Sequence, residues 1–314
     1  MKKSTKIALG TAGVSILTGV ATTFLVRYAE KEVTRSKRQT KDEMIKRLLT
    51  HFKCNYKEYD DLEVEKIEIL SEEGLKLKGY FYKNDIESNK LVIIHHGYTA
   101  NHYISIQYMK MFLDEGFNIL LIDMRSHGES EGEFASYGYN EVKDLDIWVE
   151  TMKKKLGENL IIGLQGQSMG AATVMLYGGL FEDKVTFVIE DCGYSDAKDE
   201  VKYKFKQAKV PANILYPLVN SRIKRKYKFD LTGISPMKAI CNSKVPTLFI
   251  HGTADTTVPS YMCEEMYNAK KEGYKKLYLV EGAIHMDAYV TNKERYEKEV
   301  KDFINVVLTS IDSK

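Results

Sequence analysis

Leu160-Ile161-Ile162-Gly163-Leu164-Gln165-Gly166-Gln167-Ser168-Met169-Gly170-Ala171-Ala172 changes character at its middle, and that change decides how the rest of the chain is read. Leu160–Leu164 is a short apolar run of strand length, while Ala171–Leu180 is apolar over a helical length. Between them stands Gly166-Gln167-Ser168-Met169-Gly170, a Gly-x-Ser-x-Gly pentapeptide. At a strand-to-helix junction this pattern forces the serine onto a sharp turn, with its hydroxyl clear of the sheet. The flanking glycines let strand and helix approach without a Cβ clash. Alone the pentapeptide says little, because Gly and Ser are common in loops, so the surrounding pattern has to carry the reading.

Working outward, the same alternation repeats. Leu91–Ile94 precedes a helical pattern at Ile104–Leu113, and Ile119–Ile122 precedes one at Val142–Met152. Downstream come the apolar runs Val185–Ile189, Thr247–Ile250 and Leu277–Val280. Continuous apolar strands separated by amphipathic helices predict a mostly parallel, doubly wound sheet covered on both faces. Ahead of it the period shortens to two, at Val64, Ile67 and Ile69 and then Leu75, Leu77 and Phe81, with Glu72-Glu73-Gly74 between. That spacing predicts an antiparallel N-terminal hairpin.

The 314 residues, with 44% hydrophobic and 29% charged, suit one large α/β domain. A net charge of +2 gives no global field for nucleic acid. Cys54, Cys192, Cys241 and Cys263 form no Cys-x-x-Cys pair, which disfavours a zinc ribbon or redox motif, and they are expected to be free thiols. Adjacent histidines such as His95 and His96 point to opposite faces of a strand, so with His102 and His127 they make a poor chelate; neither metal nor cofactor is expected. The sequence sets no oligomeric state.

Three divisions are expected: residues 1–29 as a terminal segment, 30–60 as a charged linker and helix, and 61–314 as the main domain with an insertion at about 195–244. Ile7–Val26 is uncharged and comes after Lys2, Lys3 and Lys6; at about 1.5 Å per residue it could just cross a bilayer core of about 30 Å. It predicts a single-pass membrane anchor, or a signal segment cleaved near Gly19-Val20-Ala21 to release a secreted protein, with lysines and arginines on both flanks leaving the side of the membrane open. Within the insertion, the run from Lys198 to Lys228 carries Lys198, Lys202, Lys204, Lys206, Lys209, Arg222, Lys224, Arg225, Lys226 and Lys228 against only Asp199 and Glu200. A solvated charged face is one reading. Interleaved aromatic residues add a membrane-surface contact as a second, and steering of an acidic substrate is a third.

Functional groups of a doubly wound sheet collect at the carboxyl ends of its strands. Those ends carry His95-His96-Gly97-Tyr98, Asp123-Met124-Arg125-Ser126-His127-Gly128-Glu129-Ser130, Ser168, His251-Gly252-Thr253-Ala254-Asp255 with Val258-Pro259 beyond, and His285. With these motifs the chain from about Val64 onward resembles an α/β-hydrolase, of the serine-hydrolase branch holding Bem46-like proteins and serine-aminopeptidase-like esterases. The resemblance implies Ser168 as nucleophile, His285 as general base and Asp255 as the carboxylate that orients it, chosen over Asp123 and Asp191 by chain order. It also implies an oxyanion hole from the backbone N–H groups of Tyr98 and Met169, with Asp123 and Arg125 fixing loop geometry. The expected activity is a carboxylesterase acting on acyl or small aromatic esters, with a small-molecule substrate. An aminopeptidase-like serine peptidase is the first alternative, though it needs an acidic group over the site to hold a free α-amine. A non-catalytic binding protein on a hydrolase fold is the second.

Overall fold

The computed structural model describes residues 22–59 and 62–312. The chain opens with helix α1 (22–34), followed by α2 (Lys41–Thr50), which is closed at its start by a Thr40–Glu43 capping box. Then come β1 (Glu65–Leu70), β2 (Lys76–Tyr82), β3 (Lys90–His95), α3 (His102–Ser105), α4 (Met109–Leu113), β4 (Asn118–Ile122), α5 (Glu141–Leu156), β5 (Ile161–Gln167) and α6 (Met169–Leu180). The second half has β6 (Phe187–Asp191), α7 (Ala197–Gln207), α8 (Ala212–Tyr227), α9 (Pro236–Ile240), β7 (Thr247–Gly252), α10 (Tyr261–Ala269), β8 (Lys275–Val280), α11 (Ala288–Thr291) and α12 (Lys293–Asp312).

One eight-stranded sheet results, in the order β1-β2-β4-β3-β5-β6-β7-β8. β1 pairs antiparallel with β2 and β2 with β4, and every later pairing is parallel. This is the predicted α/β-hydrolase architecture with its antiparallel N-terminal hairpin. The apolar runs are continuous because both sheet faces are covered. Leu91 and Ile93 enter one core with Leu120, Ile122, Leu164 and Phe249, whereas Val92 and Ile94 enter the other with Ile119, Leu121, Ile189 and Leu248. The period of two is present, but both halves of it are apolar.

Between Ile104 and Leu113 the expected single helix is broken into α3, a 3₁₀ turn at Ile106–Tyr108 and α4. There the Gln107 amide donates to the Ile104 carbonyl at 3.0 Å.

The expectation of a membrane location is corrected. Among the described residues no helix is long and apolar enough to cross a membrane. Most of Ile7–Val26 lies outside the described residues. Helix α1, at its carboxyl end, carries Arg27, Glu30, Lys31 and Glu32 and buries Ala29, Glu30, Val33 and Thr34 against the domain. The membrane reading of the basic segment also loses most of the residues it was built on. Val201, Phe205, Leu215 and Tyr216 are buried, although Ile214 and Leu218 stay exposed. Lys202 sits over the Tyr216 ring, and Lys204 pairs with the buried Glu200 at 2.9 Å. Further acidic partners arrive from outside the run: Glu30 for Arg222 and Lys226, and Asp230 for Lys224.

Candidate active site

The geometry is organised by the elbow at the end of β5. Ser168 has φ 54° and ψ −116°, a conformation that costs a non-glycine residue of order 1–3 kcal/mol and persists only where neighbours enforce it. Its N–H donates to the Asp191 carbonyl at 2.9 Å. The glycines make the crossing possible. A Cβ on Gly170 would lie 2.3 Å from the His95 carbonyl oxygen, and one on Gly166 would lie 2.3 Å from the backbone of Gly170. Helix α6 therefore starts in backbone contact with the end of β3, and its residues Met169–Gly178 are buried.

His285 comes after β8. Its Nε2 is 3.0 Å from Ser168 Oγ, and its Nδ1 is 2.6 Å from Asp255 Oδ2. The two loops carrying Asp255 and His285 are laced together: Thr253 N–H donates to the Val280 carbonyl, Ala254 N–H to the Ala283 carbonyl, and Gly282 N–H to Thr253 Oγ1. Asp255 Oδ1 accepts the N–H groups of Thr257 and Val258 at 2.8 and 2.9 Å. Burial pushes the Asp255 carboxyl up, but hydrogen bonding to His251 and His285 outweighs it and holds the group well below the usual carboxylate range. It is thus an anion facing an imidazole. The three residues proposed from the sequence, 117 positions apart at the extremes, stand in one hydrogen-bonded line.

Tyr98 and Met169 flank that line. Met169 is the first residue of α6, where the N–H groups have no intrahelical acceptor and the helix dipole is positive. The turn before Tyr98 presses on the elbow, since a Cβ on Gly97 would sit 3.2 Å from Ser168 Cβ. Ring contacts run from Tyr98 to Tyr137 and on to Tyr194.

The other strand-end residues hold loops. Asp123 accepts the N–H and Nδ1 of His102 at 2.8 and 2.9 Å and the N–H of Glu129 at 2.9 Å. Arg125 grips Asp144 through two 2.7 Å bonds. Asp191, the other rival carboxylate, accepts from the Tyr296 hydroxyl at 3.0 Å. Burial pushes His95 and His96 down to about 3, so both imidazoles are neutral, and His96 Nε2 accepts the Met124 N–H at 3.0 Å. His51 Nε2 lies 2.7 Å from Asp287, tying the end of α2 to the loop after His285. Cys54, Cys192, Cys241 and Cys263 are free thiols.

Two groups of potential metal donors converge among the described residues. One is Cys192, Asp255 and His285, in which the last two are already bonded to each other; the second is Glu190, His251 and Cys263. The sequence assigns no role to His251 and does not single out Glu190. The only sequence signal was the position of His251 at a strand end, four residues before Asp255. Two clefts of about 860 and 710 Å³, around Tyr82–Asp114 and Ile86–Gly116, include none of the three aligned residues.

Known proteins agree with this fold. The alpha/beta hydrolase fold family matches residues 90–234. The uncharacterized protein YqkD of Bacillus subtilis is 33% identical over 271 residues, 86% of this chain and 88% of that one. Among solved structures, the Pyrococcus furiosus esterase Pf2001 superposes with a TM-score of 0.66 at 26% identity, over 86% of this chain and 98% of its own. Est1E of Butyrivibrio proteoclasticus, solved with ferulic acid bound, shares the fold at a TM-score of 0.59 and 20% identity, over 77% of this chain and 99% of its own. This chain belongs to the α/β-hydrolase family, and its fold and neighbours are those of a hydrolase.

Proposed function

We propose that the protein is a serine carboxylesterase that cleaves acyl or small aromatic esters through an acyl-enzyme on Ser168. The observation that carries this reading is the unbroken line Ser168 Oγ, His285 Nε2, His285 Nδ1, Asp255 Oδ2, with gaps of 3.0 and 2.6 Å. A serine hydroxyl is a poor nucleophile until a base within hydrogen-bond reach takes its proton. As Ser168 Oγ attacks the ester carbonyl, His285 Nε2 takes that proton, and Asp255 stabilises the imidazolium that forms. The carbonyl oxygen becomes an oxyanion and is met by the N–H groups of Met169 and Tyr98. Collapse expels the alcohol, which leaves with the proton from His285. Water then repeats the sequence on the acyl-enzyme and releases the acid.

The ester preference draws support from the likeness to the Pyrococcus furiosus esterase. The segment 195–244, with α7, α8 and α9, is assigned as the cap of a main domain that runs from about residue 61.

Labelling with a fluorophosphonate probe tests the reading. Wild type should label and Ser168→Ala should not; an unlabelled wild type overturns it in favour of a non-catalytic binding protein. Turnover of p-nitrophenyl esters against aminoacyl anilides then separates esterase from peptidase.

A further inference from the structure

The Asp255 loop is held from behind by a second imidazole. His251, at the carboxyl end of β7, is fully buried, with Nε2 lying 2.8 Å from the Val258 carbonyl oxygen and 3.3 Å from Asp255 Oδ2. A ring nitrogen that close to a carbonyl oxygen carries the proton, because two lone pairs would repel; Nε2–H is the donor and the tautomer is fixed. Oδ2 is also the oxygen facing His285 Nδ1 at 2.6 Å. One carboxylate oxygen therefore stands between two imidazoles, while the other takes the two backbone N–H groups of its own turn.

On its far side His251 meets Glu190 and Cys263. A ring nitrogen, a carboxylate oxygen and the sulfur lie within 4.8 Å of one another, and all three residues are buried. His251 Nδ1 and Glu190 Oε1 have no hydrogen-bond partner, although Glu190 Oε2 accepts the Gly193 N–H at 2.9 Å. Unpartnered polar atoms in a core are costly, and an apolar side chain would pack at either position without that cost. Glu190 acts on the ring through its charge: it favours a proton on His251, which places positive charge beside Asp255. The titration directions agree. Burial raises Glu190 to about 7, and for His251 the lowering by burial is outweighed by Asp255 and Glu190, so its affinity for a proton rises. Of the neighbouring groups, Asp191 is engaged by Tyr296, and burial leaves the Cys263 thiol protonated.

We propose that His251, backed by Glu190, is a positioning residue of the site, holding the Asp255 carboxylate in the orientation in which Oδ2 meets His285. The inference rests on the serine-hydrolase reading above. His251→Leu should lower kcat toward a p-nitrophenyl ester by about 10- to 100-fold, with KM changed less than about twofold, by analogy with the loss of groups that orient a first-rank ligand. His251→Gln, whose amide can place an N–H near the same point, should recover most of that loss. Removing the donor leaves Oδ2 to His285 alone, so the acid limb of the kcat/KM profile should move to higher pH in His251→Leu. Glu190→Gln should move it in the same direction by a smaller amount. Burst titration of active sites corrects each variant for its folded fraction. Unchanged kcat and limb per active site in a wild type that labels with fluorophosphonate overturn this inference alone, as does a loss that His251→Gln shares equally. A wild type that does not label overturns the parent reading, and this one with it.

Discussion

Glu30 and Arg222 are 192 residues apart in sequence, and Glu30 Oε2 lies 2.5 Å from Arg222 Nε. The same carboxylate, 1% exposed, meets Lys226 Nζ at 2.8 Å and the Tyr227 hydroxyl, so α1 is fastened to α8 through one buried acid. Further bonds carry this seam onto the loops above the site: the Tyr98 hydroxyl donates to the Glu32 carbonyl at 3.4 Å, and the Ala135 N–H to the Thr34 carbonyl at 2.8 Å.

Glu30→Gln leaves Arg222 and Lys226 without their anion. Breaking a fully buried pair costs about 3–5 kcal/mol, and partial exposure of both cations reduces this to about 2 kcal/mol, a loss of a few degrees in Tm. Burial works against the Glu30 anion, but bonds from Lys226, Tyr227 and Arg222 bring its pKa from 4.5 down to about 2. A depressed carboxylate stabilises the fold fully above 4.5, and the contribution fades as pH falls toward 2. Urea denaturation should therefore show a wild-type advantage at pH 7 that shrinks steadily below pH 4.5. An equal gap at pH 7 and pH 3 would count against the assignment.

Asp255→Asn keeps the shape of the side chain and removes its charge. An amide can present its N–H₂ to His285 Nδ1, stabilising the wrong tautomer and leaving no anion for the imidazolium. By analogy with other serine hydrolases, kcat should fall on the order of 10³- to 10⁴-fold with folding intact. Steady-state ester hydrolysis with a circular-dichroism control measures this, and a loss under tenfold contradicts the role given to Asp255.

Gly170→Ala tests the elbow mechanically. Its new methyl would meet the His95 and His96 carbonyl oxygens at 2.3 and 2.6 Å, and neither is the end of a flexible side chain. Overpacking against backbone costs about 1–3 kcal/mol or more. The midpoint of chemical denaturation should drop, and activity per folded molecule should fall because Ser168 is displaced. Normal stability would mean that α6 can move away from β3.

The thiols should respond unequally to Ellman's reagent. Burial raises Cys54 to about 11 and pushes Cys192 and Cys263 well above their ordinary value, and the last two are fully buried. Since the thiolate is the reacting species, Cys192 and Cys263 should be silent at pH 8 in the folded protein and appear only on unfolding. Four thiols titrating at one rate in the native state would refute the burial described.

Much of the sheet was legible because its strands are short apolar runs bounded by polar loops. Leu91–Ile94 and Thr247–Ile250 lie within β3 and β7, and their flanking residues complete the strands. The interval Ile104–Leu113 is broken into α3, a 3₁₀ turn and α4 and not one helix, because apolar spacing reports which residues are buried and not the local backbone geometry. The basic run looked unpaired because pairing was sought nearby, whereas Glu30 comes from far up the chain. His251 was undervalued because a histidine at a strand end looks alike whether it packs or touches Asp255.

Local chemistry, then, was set by sequence alone: where strands stop, where only glycine fits beside Ser168, and which residue types stand at the strand ends. Those are properties of a few neighbouring residues, and they survive without knowledge of the fold. Tertiary structure decided every relation across distance. The 3.0 Å from Ser168 to His285, the imidazole behind Asp255 and the seam from Glu30 to α8 all depend on strand order and helix packing, which bring together side chains that no spacing rule connects.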